Sequence, residues 1–217
     1  MPDAETVRCF IAIELPPEAK RALARLQDSL KQGVGPGVRW ADPEGVHLTL
    51  KFLGQVDARR LPEIAEAMAR SARGFTPFSL ELAGTGVFPN PSRPRVAWVG
   101  FRGDTERLVR LQKEIESSLV PLGFPREARG FTPHLTLARL RQGTPPREQE
   151  RFGRQVVAAI FGGEGGGEGG GGGGGDGPVP MDVQQVSLIK SQLTPKGSIY
   201  TRLAHVPLGD ALPRPRR

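Results

Sequence analysis

His47-Leu48-Thr49-Leu50 and, 87 residues further on, His134-Leu135-Thr136-Leu137 carry the same four side chains in the same order. On an extended strand successive side chains point to opposite faces, so each copy sends its histidine and threonine to one side and its two leucines to the other. The leucines read as core. The histidine and threonine read as a pair aimed into one space, and a duplicated strand-and-helix unit would bring the two pairs together across a pseudo-twofold cleft. One His-x-Thr alone arises by chance, and a lone strand histidine is usually satisfied by a hydrogen bond. Two copies in comparable strands reverse that argument.

Outward from the repeat, Val7, Cys9, Ile11, Ile13 and Leu15 alternate with Arg8, Phe10, Ala12 and Glu14, which predicts a strand buried mainly on one face. Pro16 and Pro17 end it, and Ala19, Ala22, Leu23, Leu26 and Leu30 recur at helical spacing behind them. A strand is expected over residues 46–53, then a helix with Leu61, Ile64, Ala65 and Met68 inward. Further strands are expected over 78–83 and 95–101, the second apolar on both faces and therefore central. Asp104 suits an N-cap for a helix carrying Leu108, Leu111, Ile115 and Leu119. A strand over 131–139 follows, then a helix opened by Thr144 and Pro145 with Phe152, Val156 and Ile160 inward, stopped by a glycine run. Strands over 183–189 and 199–203, joined through Thr194, Pro195, Lys196 and Gly197, complete the chain. Two strand pairs leave no room for a helical crossover, so the expected class is α+β with antiparallel sheets.

Residues 162–177 hold 13 of the 29 glycines in the 217-residue chain. A phosphate-cradling loop is short and usually carries a lysine. Here the only charges are Glu164, Glu168 and Asp176, which repel phosphate, so this run reads as a flexible insertion. Residues 209–217 read as a basic Pro/Arg tail, and residues 1–208 as one bilobal unit.

No apolar stretch approaches the ~20 residues of a membrane span, and the opening residues lack the pattern of a secretory signal. Cys9 is the single cysteine, which excludes an internal disulfide and a cysteine-based zinc site and fits a cytoplasmic protein. The formal charge of +7 makes a nucleic-acid partner plausible; 24 of the 30 basic residues are arginine, which codon bias alone would also produce.

Two facing imidazoles suit paired proton transfer, since an ordinary pKa near 6.5 lets one be neutral while the other is charged. Two threonine hydroxyls could hold non-bridging phosphate oxygens between them. That set fits in-line displacement at a phosphodiester without metal. A zinc site from His47, His134 and His205 is the alternative, but no acidic residue stands at ligand spacing beside either motif. His205 reads as structural or surface.

The sequence is similar to the 2H phosphoesterases, and within them to the RNA 2′,3′-cyclic phosphodiesterases also called 2′-5′ RNA ligases. The similarity rests on Arg8-Cys9-Phe10-Ile11-Ala12-Ile13 with Leu15-Pro16, on Trp40, on His47-Leu48-Thr49-Leu50-Lys51-Phe52-Leu53-Gly54, on Phe131-Thr132-Pro133-His134-Leu135-Thr136-Leu137-Ala138-Arg139, and on Ser191-Gln192-Leu193 with Gly197-Ser198-Ile199-Tyr200. The glycine run is the main departure. The resemblance implies a bilobal α+β fold, two pseudo-twofold-related antiparallel sheets flanked by helices with the active cleft between them. It implies hydrolysis of RNA 2′,3′-cyclic phosphate ends to 2′-phosphates with no metal or other cofactor, and the chain is expected to act as a monomer. It also implies that His47 is the proton donor and His134 the proton acceptor, with Thr49, Thr136 and Arg139 binding substrate. Joining of RNA ends at the same site, and an RNA-binding module of the same fold without turnover, are the competing readings.

Strict alternation objects to Arg139: counted from His134, Thr136 and Ala138 share the cleft face and Arg139 points away, so contact would need a bulge or a turning strand end. The same count puts Lys51 on the face of His47 and Thr49. Trp40 and Phe10 could stack on a base but read first as packing.

Overall fold

The computed structural model describes residues 5–162, 177–195 and 197–209. Most of the glycine run, Lys196 and almost all of the basic tail lie outside the described residues. Among those described, β1 (Thr6–Glu14), β3 (His47–Asp57), β8 (Gln185–Thr194) and β9 (Gly197–Pro207) form one sheet in the order β3-β1-β8-β9. β2 (Val38–Trp40), β4 (Phe78–Phe88), β5 (Val96–Gly103), β6 (Leu135–Leu140) and β7 (Val179–Val183) form the second, in the order β2-β6-β5-β4-β7. Every pairing is antiparallel. Four α-helices complete the fold: α1 (Pro17–Lys31), α2 (Leu61–Ala72), α3 (Thr105–Leu119) and α4 (Pro146–Ala158). The class is α+β, as expected.

β5 is the middle strand of its sheet, which is why its residues are apolar on both faces. β1 lies between β3 and β8, and the expectation that it buries mainly one face needs correcting. Phe10 and Ala12 are buried as well, in a small cluster with Ile189 on the face opposite the main core. The strand expected over 183–189 is two strands in different sheets: β7 ends at Val183, β8 begins at Gln185, and Gln184 alone joins them. β4 runs on past Ala83 because Gly84, at φ +68°, absorbs an irregularity in its pairing with β5. The strand expected over 131–139 begins only at Leu135, and α4 ends at Ala158, ahead of the glycine run. Ile160 is therefore not an inward helix residue but 76% exposed, and Phe161 is buried in its stead. Asp104 does occupy the N-cap position of α3, without a capping side-chain bond; its carboxylate pairs with Arg107 at 3.6 Å.

The helices cross over. α1 follows β1 of the first sheet, yet Gln27 reaches the carbonyl of Leu137 in the second. α3 follows β5 of the second sheet, yet it packs on α2 and against β3 of the first. Leu48 and Leu135, the first leucines of the two motifs, are fully buried in one apolar cluster that draws on both sheets. Burial of each contributes about 2 to 3 kcal/mol. β3 and β6, the two motif strands, lie against one another where the sheets meet.

Candidate active site

In both motif strands the second leucine is a bulge. β1 pairs with β3 through Ala12 opposite Thr49 and then Ile11 opposite Lys51, passing over Leu50. β5 pairs with β6 through Trp98 opposite Thr136 and then Ala97 opposite Ala138, passing over Leu137. One extra residue reverses the alternation beyond it. Leu50 and Lys51 are consequently both buried, as are Leu137 and Ala138, and the next side chain in each strand turns out to the histidine face. In β6 that side chain is Arg139, which removes the objection from strict alternation. In β3 it is Phe52, 60% exposed.

Lys51 is accordingly not a cleft residue. It is 3% exposed, and its ammonium donates to Glu116 Oε1 of α3 at 2.8 Å and to the Pro125 carbonyl at 2.6 Å. Burial opposes ionisation of Glu116, but bonds from Lys51, the Glu127 amide and Gln112 hold its pKa below the usual carboxylate range.

His47 opens β3 opposite Glu14. Its ring stacks on Phe10 with 4.4 Å between centroids and 24° between planes, and Tyr200 meets it edge-on at 5.0 Å and 80°. Tyr200 comes this close because Gly45 has no side chain: a Cβ there would stand 3.1 Å from the phenol ring. His47 Nδ1–H donates to the Gly45 carbonyl at 2.8 Å. A carbonyl only accepts, so Nδ1 keeps the proton in the neutral ring and Nε2 carries the lone pair. Burial pushes the His47 pKa below the usual imidazole range, opposed by the Gly45 carbonyl and the Glu14 charge. Glu14 in turn accepts from Ser187 Oγ at 2.7 Å and pairs with Arg202 at 3.1 Å.

His134 stands one residue before β6 and repeats the pinning: its Nδ1–H donates to the Thr132 carbonyl, two residues back, at 2.8 Å. Its surroundings differ. Phe88 meets the ring edge-on at 5.1 Å and 85°. Trp98, opposite Thr136, lies in the space over Gly86, where a Cβ would come within 2.2 Å of the indole. Trp98 Nε1 is buried and has no hydrogen-bond partner among the described residues.

Arg139 stands opposite Val96 on one side and Arg39 of β2 on the other. Trp40 turns to the helices, edge-on to Phe152 at 6.0 Å and with Lys31 Nζ 5.9 Å from its ring centre. Arg39, its neighbour, therefore faces the Arg139 side. Both arginines are exposed. Like charges facing each other across a sheet repel, and two guanidinium forks are suited to phosphate oxygens.

His47 and Thr49 thus line β3, and His134, Thr136 and Arg139 line β6 and its approach, at the junction of the sheets. Neither threonine hydroxyl is engaged by another group among the described residues. Trp40 packs, as read; Phe10 packs beneath His47 itself. His205 is exposed. No three His, Cys, Asp or Glu side chains among the described residues cluster so as to hold a metal ion. Sequence reasoning passed over Phe52, Tyr200, Trp98, Arg39 and Glu14. Phe52 and Tyr200 carried a signal, each standing within a segment already singled out, and Gly86 makes sense only once the indole that covers it is seen.

On either side of the junction an antiparallel sheet thus presents one carbonyl-pinned histidine and one threonine hydroxyl without a partner among the described residues. The chain belongs to the LigT-like phosphoesterase family, described as LigT like Phosphoesterase, whose profile matches residues 13–98 and 102–155. It is 35% identical over 195 residues to the RNA 2′,3′-cyclic phosphodiesterase of Methanothermobacter thermautotrophicus, covering 90% of this chain and 95% of that one. It is 33% identical over 194 residues to the RNA 2′,3′-cyclic phosphodiesterase of Thermotoga maritima, covering 89% and 91%. Among solved structures, TT0787 of Thermus thermophilus superposes with a TM-score of 0.70 at 29% identity, over 94% of this chain and 99% of the other. E. coli LigT complexed with 3′-AMP shares the fold, with a TM-score of 0.67 at 23% identity over 94% and 99%. No helix among the described residues is long and apolar enough to cross a membrane.

Proposed function

We propose that this protein hydrolyses the 2′,3′-cyclic phosphate at the end of an RNA chain to a 2′-phosphate, with its two histidines as acid and base and without a metal ion. The observation that carries the reading is the matched pinning of the two imidazoles: each Nδ1–H is held by the carbonyl two residues back, at 2.8 Å in both cases. Each Nε2 is left to take or give the travelling proton. In the forward step His134 Nε2 takes a proton from water as the water oxygen attacks phosphorus. The bond from phosphorus to O3′ breaks, and protonated His47 gives its Nε2 proton to O3′. Thr49, Thr136 and Arg139 hold the non-bridging oxygens, whose charge grows in the transition state. Burial favours neutral His47 before substrate arrives. The anionic cyclic phosphate supplies the opposite charge that favours the imidazolium. The names of the relatives favour the same substrate class. All five residues come from one chain, so the reading needs no partner subunit.

The test is to supply an oligoribonucleotide ending in a 2′,3′-cyclic phosphate, with chelator present, and to identify the product isomer. A 2′-phosphate is expected. A 3′-phosphate, or activity that chelator abolishes and zinc restores, overturns the reading.

A further inference from the structure

Two buried glutamines occupy equivalent places in the two halves of the molecule. Gln27 of α1 is 1% exposed and Gln112 of α3 is 4% exposed, and a buried amide is costly unless its donors find acceptors. Gln27 Nε2 donates to the Leu137 carbonyl at 3.0 Å and to the Ala41 carbonyl at 2.9 Å. Gln112 Nε2 donates to the Leu50 carbonyl at 3.3 Å, and its amide also bonds the Glu116 carboxylate. Leu50 and Leu137 are the same position of the repeated motif, and each is the residue passed over in strand pairing. Each glutamine therefore reaches, from a helix that began in the opposite sheet, the one carbonyl where the motif strand leaves its register.

A bulge is where a strand could most easily revert to plain pairing, and reversion here would put Ala138 on the histidine face and turn Arg139 inward. The Leu137 carbonyl is fixed by two donors, Gln27 and the Ala41 amide at 2.8 Å, which occupy both its lone pairs. We propose that Gln27 and Gln112 are positioning residues that set the two bulges from across the molecule, Gln27 acting on the reaction through Arg139 and Gln112 holding the bulge at Leu50. The inference rests on the cyclic-phosphate reading for its assay and on the geometry of the bulge for its substance.

A double-mutant cycle tests it. Gln27→Met should lower kcat/KM on the cyclic-phosphate oligoribonucleotide about 10- to 100-fold, the scale of a small misplacement at a reacting centre. In an Arg139→Ala background the same change should cost less than about twofold, because the residue it positions is already gone. Its effect on the melting temperature should be equal in both backgrounds, which a merely structural role would also give; the loss of the activity effect is what such a role would not give. Gln112→Met supplies the control, since it should add its cost independently of Arg139. If Gln27→Met does not fold, Gln27→Asn, whose amide stops one methylene short, goes through the same cycle. Equal activity loss in both backgrounds, or none in either, overturns the proposal. The cycle is repeated with affinity for inorganic phosphate as the readout. Coupling seen there in a protein that does not open the cyclic phosphate would sustain the positioning role and remove the reaction.

Discussion

The two motif strands have the same backbone plan and opposite surroundings. Around His47 the ring lies on Phe10, which also touches Phe52, and meets Tyr200 edge-on, with Glu14 opposite on the neighbouring strand. Around His134 the corresponding places hold Arg139 where Phe52 stands, Trp98 where Ala12 stands, and the edge of Phe88. One side is aromatic with an anion on the strand position opposite the histidine; the other is more open and carries two arginines. A symmetric scaffold therefore delivers unlike electrostatics to its two imidazoles. Such unlike surroundings suit the proposed division of the two rings into an acid and a base.

The sharpest way to break the comparison is to remove each histidine in turn. His47→Ala and His134→Ala should each lower turnover about 10²- to 10⁴-fold, the usual scale of general acid–base catalysis, with the double variant little worse than either single one because the pair acts as a unit. Single-turnover assays on the cyclic-phosphate end read this. Full activity in either variant would leave only one side of the site in the chemistry.

A second difference is one of stability. The residue after the bulge is Lys51 on the first side, paired with Glu116, and Ala138 on the second. Lys51→Met should destabilise the fold by about 3 to 5 kcal/mol by leaving a buried carboxylate without its partner, and adding Glu116→Leu should recover most of the loss. Urea melts of the two variants measure it. A cost confined to turnover, with melting unchanged, would return Lys51 to the cleft.

The smallest effect concerns the Glu14 carboxylate opposite His47. Its charge raises the His47 pKa, so Glu14→Gln should lower that pKa further and reduce the fraction of charged His47 near neutral pH. With His47 as donor, the alkaline limb of kcat/KM against pH moves to lower pH, by less than about one unit. Movement of the acid limb instead would make His47 the base and exchange the two roles.

The antiparallel class, the central place of β5 and the inward leucines of both motifs were legible from period and spacing, because burial on a strand follows a period of two. The histidine-side residues beyond the threonines were not. Alternation placed Lys51 in the cleft and Arg139 outside it, and both assignments invert at a bulge that no local signal in Leu50 or Leu137 announces. The family resemblance had Arg139 on the phosphate against the alternation count, and the bulge reconciles the two. The sheet change at Gln184 was hidden for a related reason: Val183 and Val186 are both buried apolar residues, and nothing in their spacing says that they belong to different sheets. Tyr200 and Trp98 depend on glycines elsewhere in the chain, Gly45 and Gly86, so their placement is a tertiary property.

Gln184 has a mechanical consequence. One residue spans at most about 3.6 Å and brings two soft dihedrals, and the Gln184 carbonyl accepts the Leu208 amide at 2.8 Å. At that point the sheets have no slack with which to draw apart; any relative motion is a small pivot about a tethered link.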